Sequence, residues 1–222
     1  MYPVLRLVMR LLAHLFLFRS VHLEGLENLP RRGPVLVLGN HIATVDPPLT
    51  GALIRRLDVY YMAKSESFTP RVAWLFRAYH AFPVVRHSPD RTALKHALRL
   101  LTTGHVLLVY PEGSRSPDAR LRRAYAGAGF IARHSRAPLV PVAIWGSEKV
   151  LPKGARWPHH AEVHIRYGPP FELPERNPDG TLMSHQQTAD HMMGRVAAML
   201  PERYRGIYGP GGELDPARVS AA

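Results

Sequence analysis

The stretch PVLVLGNHIATVDPPLTGAL, residues 34–53, decides how the chain folds. Its first half is a short aliphatic run bounded by proline and glycine, which predicts a buried strand ending near Gly39. The continuation from Pro47, PPLTGALIRRL, places prolines where a first helical turn tolerates them and predicts a helix. His41 and Asp46 lie between the two. Five residues apart on one helix they would sit about 140° around the axis and could not easily meet. Pro47, however, disfavours the α region at Asp46 and makes Asp46 and Pro47 a cap and first-turn pair. The loop 41–45 can then fold back. Asp46 would hold one imidazole nitrogen and leave the other as a base of defined tautomer at a strand end, where ligands of α/β sheets sit. Taken alone, the same residues also fit a helix cap beside a surface histidine.

Outward from this stretch the hydrophobic period keeps switching. Residues 20–26, 58–64, 81–86, 105–110, 138–146 and 161–168 read as strands, and residues 67–79, 89–104, 122–136 and 184–200 as helices. Strand and helix in turn predict an α/β fold: a single domain, residues 20–205, with a mixed central sheet and helices on its faces. A Gly- and Pro-rich tail, 206–222, is expected to be loosely ordered.

Composition narrows the function. The 222 residues are 46% hydrophobic and carry 29 Lys and Arg against 17 Asp and Glu, a formal net charge of +12. That is a folded chain drawn to anions such as phospholipid, nucleic acid or a phosphorylated metabolite. Without cysteine there is no thiolate nucleophile, disulfide or thiolate metal site. Thirteen histidines show no HExxH-like spacing, and the pair at 159–160 falls in a Pro- and Arg-containing loop, so no metal and no cofactor are expected. Basic residues are scattered, and no zinc-finger spacing or RNP-like aromatic block occurs, so no nucleic-acid partner is expected either.

The first 19 residues predict an amphipathic helix. Arg6, Arg10 and His14 recur every fourth residue as a polar stripe, and Leu7, Val8, Leu11, Leu12, Leu15, Phe16 and Phe18 cover most of the rest. The arginines interrupt a membrane span, and no small-residue cleavage site follows. Such a helix suits the membrane interface, and it also suits ordinary packing with a solvated basic edge.

A second polar cluster, VYPEGSRSPD at 109–118, follows another buried strand and brings Glu112, Gly113 and Arg115 to a strand end. An arginine beside glycine and serine amides can grip a phosphate bidentately. NHIATVD and PEGSR, in this order, resemble the NHxxxxD and EGxR signature of the glycerolipid acyltransferase family that includes lysophosphatidate acyltransferase. AFPVVR, which carries Arg86, and PLVPVAIWGS resemble its second and fourth blocks, so the resemblance runs from about residue 20 to 150.

The resemblance implies transfer of a fatty acyl group from acyl-CoA or acyl carrier protein to the free hydroxyl of lysophosphatidate in phospholipid biosynthesis. His41 would be the general base and Asp46 its orienting partner. Lys64, Arg86 and Arg115 would hold the acceptor phosphate in a pocket shaped by Glu112 and Gly113. The implied partners are an anionic phospholipid membrane, the lysophospholipid and the acyl donor, with the enzyme membrane-associated on the cytoplasmic face. Glycerol-3-phosphate or another lipid hydroxyl remains an alternative acceptor, and a noncatalytic basic membrane-binding protein remains a rival outside the enzyme class. Three positions depart from the family pattern. A usual Phe-Lys pair is Ala124-Tyr125 here, and a usual glycine is His80, so Arg122 and Arg123 are candidates for the missing cation, or simply a solvated basic face.

Overall fold

The structure, a computed structural model, describes residues 1–17, 20–86, 90–152, 155 and 157–215, with side chains at 9, 10 and 12–17 set aside. Helix α1 (Tyr2–Leu17) is followed by β1 (Val21–Glu24), β2 (Val35–Gly39), α2 (Asp46–Leu53), β3 (Val59–Lys64), α3 (Ala73–Ala78) and β4 (Ala81–Val84). Then come α4 (Arg91–Thr102), β5 (Val106–Val109), α5 (Ala126–Ser135), β6 (Leu139–Trp145), β7 (Val163–Tyr167) and α6 (His185–Met199). Among the described residues the strands form one seven-stranded sheet in the order β1-β7-β6-β2-β5-β3-β4. It is mixed, as expected: β6 and β7 pair antiparallel and every other neighbouring pair is parallel.

β2 and β5 are buried along their length because both faces of the sheet are covered, which is why their sequences are unbroken apolar runs. Leu36, Leu38 and Leu107 pack with Leu101 of α4, Ile131 of α5 and Met192 of α6. Val35, Val37 and Leu108 point the other way, toward Tyr2 of α1 and Leu49 of α2. The chain leaves β2 through α2 on this second face and runs past β5 to β3, whereas it leaves β5 through α5 on the first face and runs past β2 to β6. Adjacent strands whose connections depart in opposite directions open a crevice at their carboxyl ends. His41 and Glu112 follow those two ends.

Several elements differ from expectation for local reasons. The helix expected over 67–79 forms only from Ala73, after Pro70, with a 3-10 turn at Ser65–Ser67 ahead of it. The helix expected over 122–136 starts at Ala126, because the amides of Arg122 and Tyr125 are drawn to the Glu112 carboxylate and to the Pro111 carbonyl. Beyond residue 206 the packed body continues: Gly206–Tyr208 forms a 3-10 turn, and buried Tyr208 donates to Asp190 of α6.

The largest difference is in α1. Arg6, expected on a solvated basic edge, is 3% exposed. Its Nε donates to the Ala52 carbonyl at 3.1 Å and its Nη1 to the Arg56 carbonyl. Ala52 is in the last turn of α2, whose carbonyls have no intrahelical partner and carry the negative end of the helix dipole, and Arg56 lies in the loop just after it, so this end of α2 is a place where a guanidinium can be buried. Arg10 and His14 lie outside the described side chains. With Arg6 turned inward, Val4, Leu7, Val8 and Leu11 face outward, each at least 44% exposed.

Candidate active site

The loop after β2 is built by side chains that replace backbone pairing. Fully buried Asn40 donates from Nδ2 to the Ile144 carbonyl at 2.7 Å and accepts from the Ile144 amide at 2.8 Å. The side-chain amide thereby extends the ladder to β6 and frees the main chain to turn. Asp46 closes the turn, as the first residue of α2 rather than the expected cap. Its carboxylate points back into the loop: Oδ2 accepts from His41 Nδ1 at 2.9 Å, Ile42 N at 2.7 Å and Ala43 N at 2.6 Å, and Oδ1 accepts from Ser147 Oγ at 2.6 Å. A carboxylate with no solvent exposure is tolerable when its lone pairs are met this fully. His41 Nδ1 faces an acceptor and so carries the ring proton, which leaves Nε2 with the basic lone pair. The Tyr110 ring stacks on the imidazole with centroids 4.6 Å apart and limits its rotation.

The loop after β5 is tied to the first one. Glu112, 2% exposed, accepts from His41 N through Oε1 at 3.0 Å and from Arg122 N through Oε2 at 2.9 Å. Burial pushes its carboxyl up to about 7, against the pull of those two amides. The Ser116 amide donates to the His41 carbonyl at 2.8 Å, and Arg115 Nη1 donates to Thr44 Oγ1 at 2.6 Å. Gly113 turns at φ 66°, where a Cβ would meet the Tyr125 ring at 2.7 Å, so both conformation and space select glycine.

An open cleft of about 2270 Å³ faces these loops. His41, Lys64, Arg86, Gly113 and Arg115 all line it, so the cleft brings together five of the seven sequence-derived site residues. Asp46 and Glu112 do not line it; both are buried and bonded to the loops that do. Arg86 is already engaged, with Nη2 3.2 Å from Glu66 Oε1 and Nη1 3.4 Å from the Gly113 carbonyl. The cleft continues between apolar residues of α1 and α3, including Leu5, Val8, Leu75 and Phe76. Neither arginine considered for the missing cation lines it. Arg122 Nη1 donates to Ser114 Oγ, and Arg123 pairs with Asp190 and Glu213.

His80, standing where the family has glycine, adopts φ 59°, which explains why a glycine suits that position. Its ring lies 4.1 Å from Tyr2 and 4.8 Å from Tyr60, between α1 and β3. Sequence reading missed Ser147 and Tyr110 as contributors. Ser147 is 101 residues from Asp46 and gives no local signal. Asn40, a polar residue closing an apolar run, does give one.

Fold and site together define a class of α/β protein that places a carboxylate-held histidine and a glycine-arginine loop at the switch point of its sheet. The chain belongs to the acyltransferase family, whose model matches residues 20–145, more than half of its length. It is 35% identical over 129 residues to the 1-acyl-sn-glycerol-3-phosphate acyltransferase of Bacillus subtilis, covering 57% of this chain and 63% of that one. It is 30% identical over 142 residues to the chloroplastic acyltransferase LPAT1 of Arabidopsis thaliana, covering 62% and 39%. The match thus spans less than two thirds of these relatives. The crystal structure of the 1-acyl-sn-glycerophosphate acyltransferase PlsC from Thermotoga maritima superposes with a TM-score of 0.69 at 25% identity, covering 89% of this chain and 78% of that one.

Proposed function

We propose that the protein transfers a fatty acyl group from an acyl-CoA or acyl carrier protein thioester to the free hydroxyl of lysophosphatidate. The observation that carries this reading is the His41–Asp46 pair, 2.9 Å apart and set on a cleft that Lys64, Arg86 and Arg115 also line. Nε2 takes the acceptor hydroxyl proton as the hydroxyl oxygen attacks the thioester carbonyl. The new C–O bond replaces the C–S bond, and the departing thiolate takes its proton from the imidazolium. Asp46 stabilises that cation and, together with Tyr110, keeps the ring in one orientation. General-base help of this kind contributes about 10²- to 10⁴-fold. The thioester is itself the activated group, so the scheme needs no cofactor. The acceptor phosphate is held by Arg115, with Arg86 and Lys64 adding charge.

The apolar arms of the two lipids have a matching surface. Val4, Leu7, Val8 and Leu11 of α1, together with Val72, Trp74 and Leu75 at α3, are exposed, and Arg71 and Arg77 stand exposed among them. Among the described residues no helix is long and apolar enough to cross a membrane. The proposed seat is the surface of an anionic bilayer on its cytoplasmic side, with α1 lying in the interface through its outward apolar face. A lipid-product assay tests the reading with lysophosphatidate, glycerol-3-phosphate and monoacylglycerol as acceptors and both thioesters as donors. Phosphatidate formation by the wild type and none by folded His41→Ala is the expected result. Turnover by His41→Ala at the wild-type rate, or no acyl transfer to any acceptor, overturns it.

A further inference from the structure

A second cluster of coordinating side chains lies outside the cleft, on the other flank of the sheet. His22 of β1 and His164 of β7 are register partners on adjacent parallel strands, so their side chains leave the same face at the same level. Glu162, two residues before His164, joins them: the ligand atoms of the three residues all lie within 4.8 Å of one another. Among the described residues this is the one such group of three.

Aromatic neighbours flank the rings. The His22 and His164 rings stack with centroids 4.4 Å apart, and the Trp145 indole of β6 stacks on His164 at 4.8 Å with an interplanar angle of 3°. The nearby cation, Arg166, is engaged by other groups. Its Nε pairs with Glu24 at 2.7 Å and its guanidinium lies over Trp145. His22 and Glu162 are exposed, so their side chains can close the remaining distance by rotation, and solvent can supply a further ligand.

The geometry points to a binding site for a divalent transition-metal ion, Zn²⁺ foremost, held by His22, His164 and Glu162. Two imidazoles and one carboxylate suit Zn²⁺, Ni²⁺ and Cu²⁺ and do not suit Mg²⁺ or Ca²⁺, which take mainly oxygen ligands. With metal–nitrogen distances of about 2.0–2.1 Å, an ion held through one in-plane nitrogen of each imidazole ties edge strand β1 to β7. The clamp sits beside functional structure. Trp145 is followed by Gly146 and Ser147, and Ser147 holds Asp46. Its role is to secure that end of the sheet rather than to join the chemistry in the cleft.

Titration calorimetry and thermal unfolding of the full chain with Zn²⁺, with Mg²⁺ for comparison, test this. The wild type is expected to bind one Zn²⁺ at this site and to gain melting temperature with Zn²⁺ but not with Mg²⁺. His22→Phe keeps a stacking ring and removes a ligand, and exposed Glu162→Gln is isosteric. Both are expected to melt like the wild type without metal and to lose the Zn²⁺-dependent gain. His41→Ala is expected to keep it, which separates this site from the histidine in the cleft. Cu²⁺ in the site is expected to show a paramagnetic resonance signature of two coordinated nitrogens. Wild-type Zn²⁺ affinity in both His22→Phe and Glu162→Gln overturns the assignment by placing the ion at other histidines. No Zn²⁺-dependent gain in the wild type overturns it as well.

Discussion

Asp46→Asn separates the two tasks assigned to this carboxylate, and the loop geometry sets the size of the effect. An asparagine side chain offers one oxygen and one NH₂ group, and either could face the imidazole. The Ile42 and Ala43 amides, at 2.7 and 2.6 Å from Oδ2, select the oxygen for that position, because an NH₂ there would oppose two donors. The NH₂ then faces Ser147, whose hydroxyl can turn to accept. His41 thus keeps its Nδ1–H tautomer and its place in the cleft, and only the negative charge is lost. An imidazolium and a carboxylate with charge centres about 4 Å apart attract by about 4 kcal/mol at an effective dielectric constant of about 20. That corresponds to roughly 10³-fold in kcat, with KM for both substrates little changed. Steady-state kinetics on purified, folded protein measure this. A loss below about tenfold would leave the carboxylate charge without a part in turnover and make Asp46 a loop anchor alone. A loss as complete as that of His41→Ala would show that the amide has turned over and taken the wrong tautomer with it.

The other perturbations follow from individual contacts. For Glu112→Gln, the raised carboxyl means that the folded state binds more protons than the unfolded state between about pH 4.5 and 7, so this group's contribution falls as pH rises through that window. The stability difference between wild type and variant, from urea unfolding at several pH values, is expected to shift against the wild type by about 3 kcal/mol across it, and a pH-independent difference would count against the raised carboxyl. Arg115→Lys replaces a bidentate fork by a point charge. It should cost roughly 10- to 100-fold in kcat/KM for lysophosphatidate and little for monoacylglycerol, so equal losses on both acceptors would remove Arg115 from phosphate recognition. Arg6→Met keeps an apolar stem and strips the Ala52 and Arg56 carbonyls of their donor. A loss of about 2 kcal/mol and a melting temperature lower by about 4–8 °C are expected, whereas unchanged melting would show that the buried guanidinium only balances its own desolvation. Removing residues 1–19 should abolish vesicle binding and also lower turnover of short-chain substrates, because the same deletion takes Arg6 and Tyr2 from α2 and the Tyr61 cluster. Full turnover with lost binding would confine α1 to the membrane.

What could be read locally was decided by neighbours within a few residues. The apolar runs of β2 and β5, the prolines opening α2 and the glycine turn after Glu112 depend on propensity and period, and they led to an α/β sheet with His41 and the EGSR loop at strand ends. The five-residue reach from His41 to Asp46 was legible for the same reason: one turn spans it. Sheet order is a different kind of fact. It follows from which face each crossover takes, and that depends on the packing of whole helices against the sheet. Only this order brings Ser147 to Asp46, the Ile144 main chain to Asn40, and His164 with Glu162 beside His22. The same holds for α1. Its polar residues, recurring every fourth position, gave a helix with one polar stripe and left the facing of that stripe open, because unpaired carbonyls can take the place of water around much of an arginine. The C-terminal end of α2 supplied the carbonyls, and so the basic residue went inward and the apolar side outward.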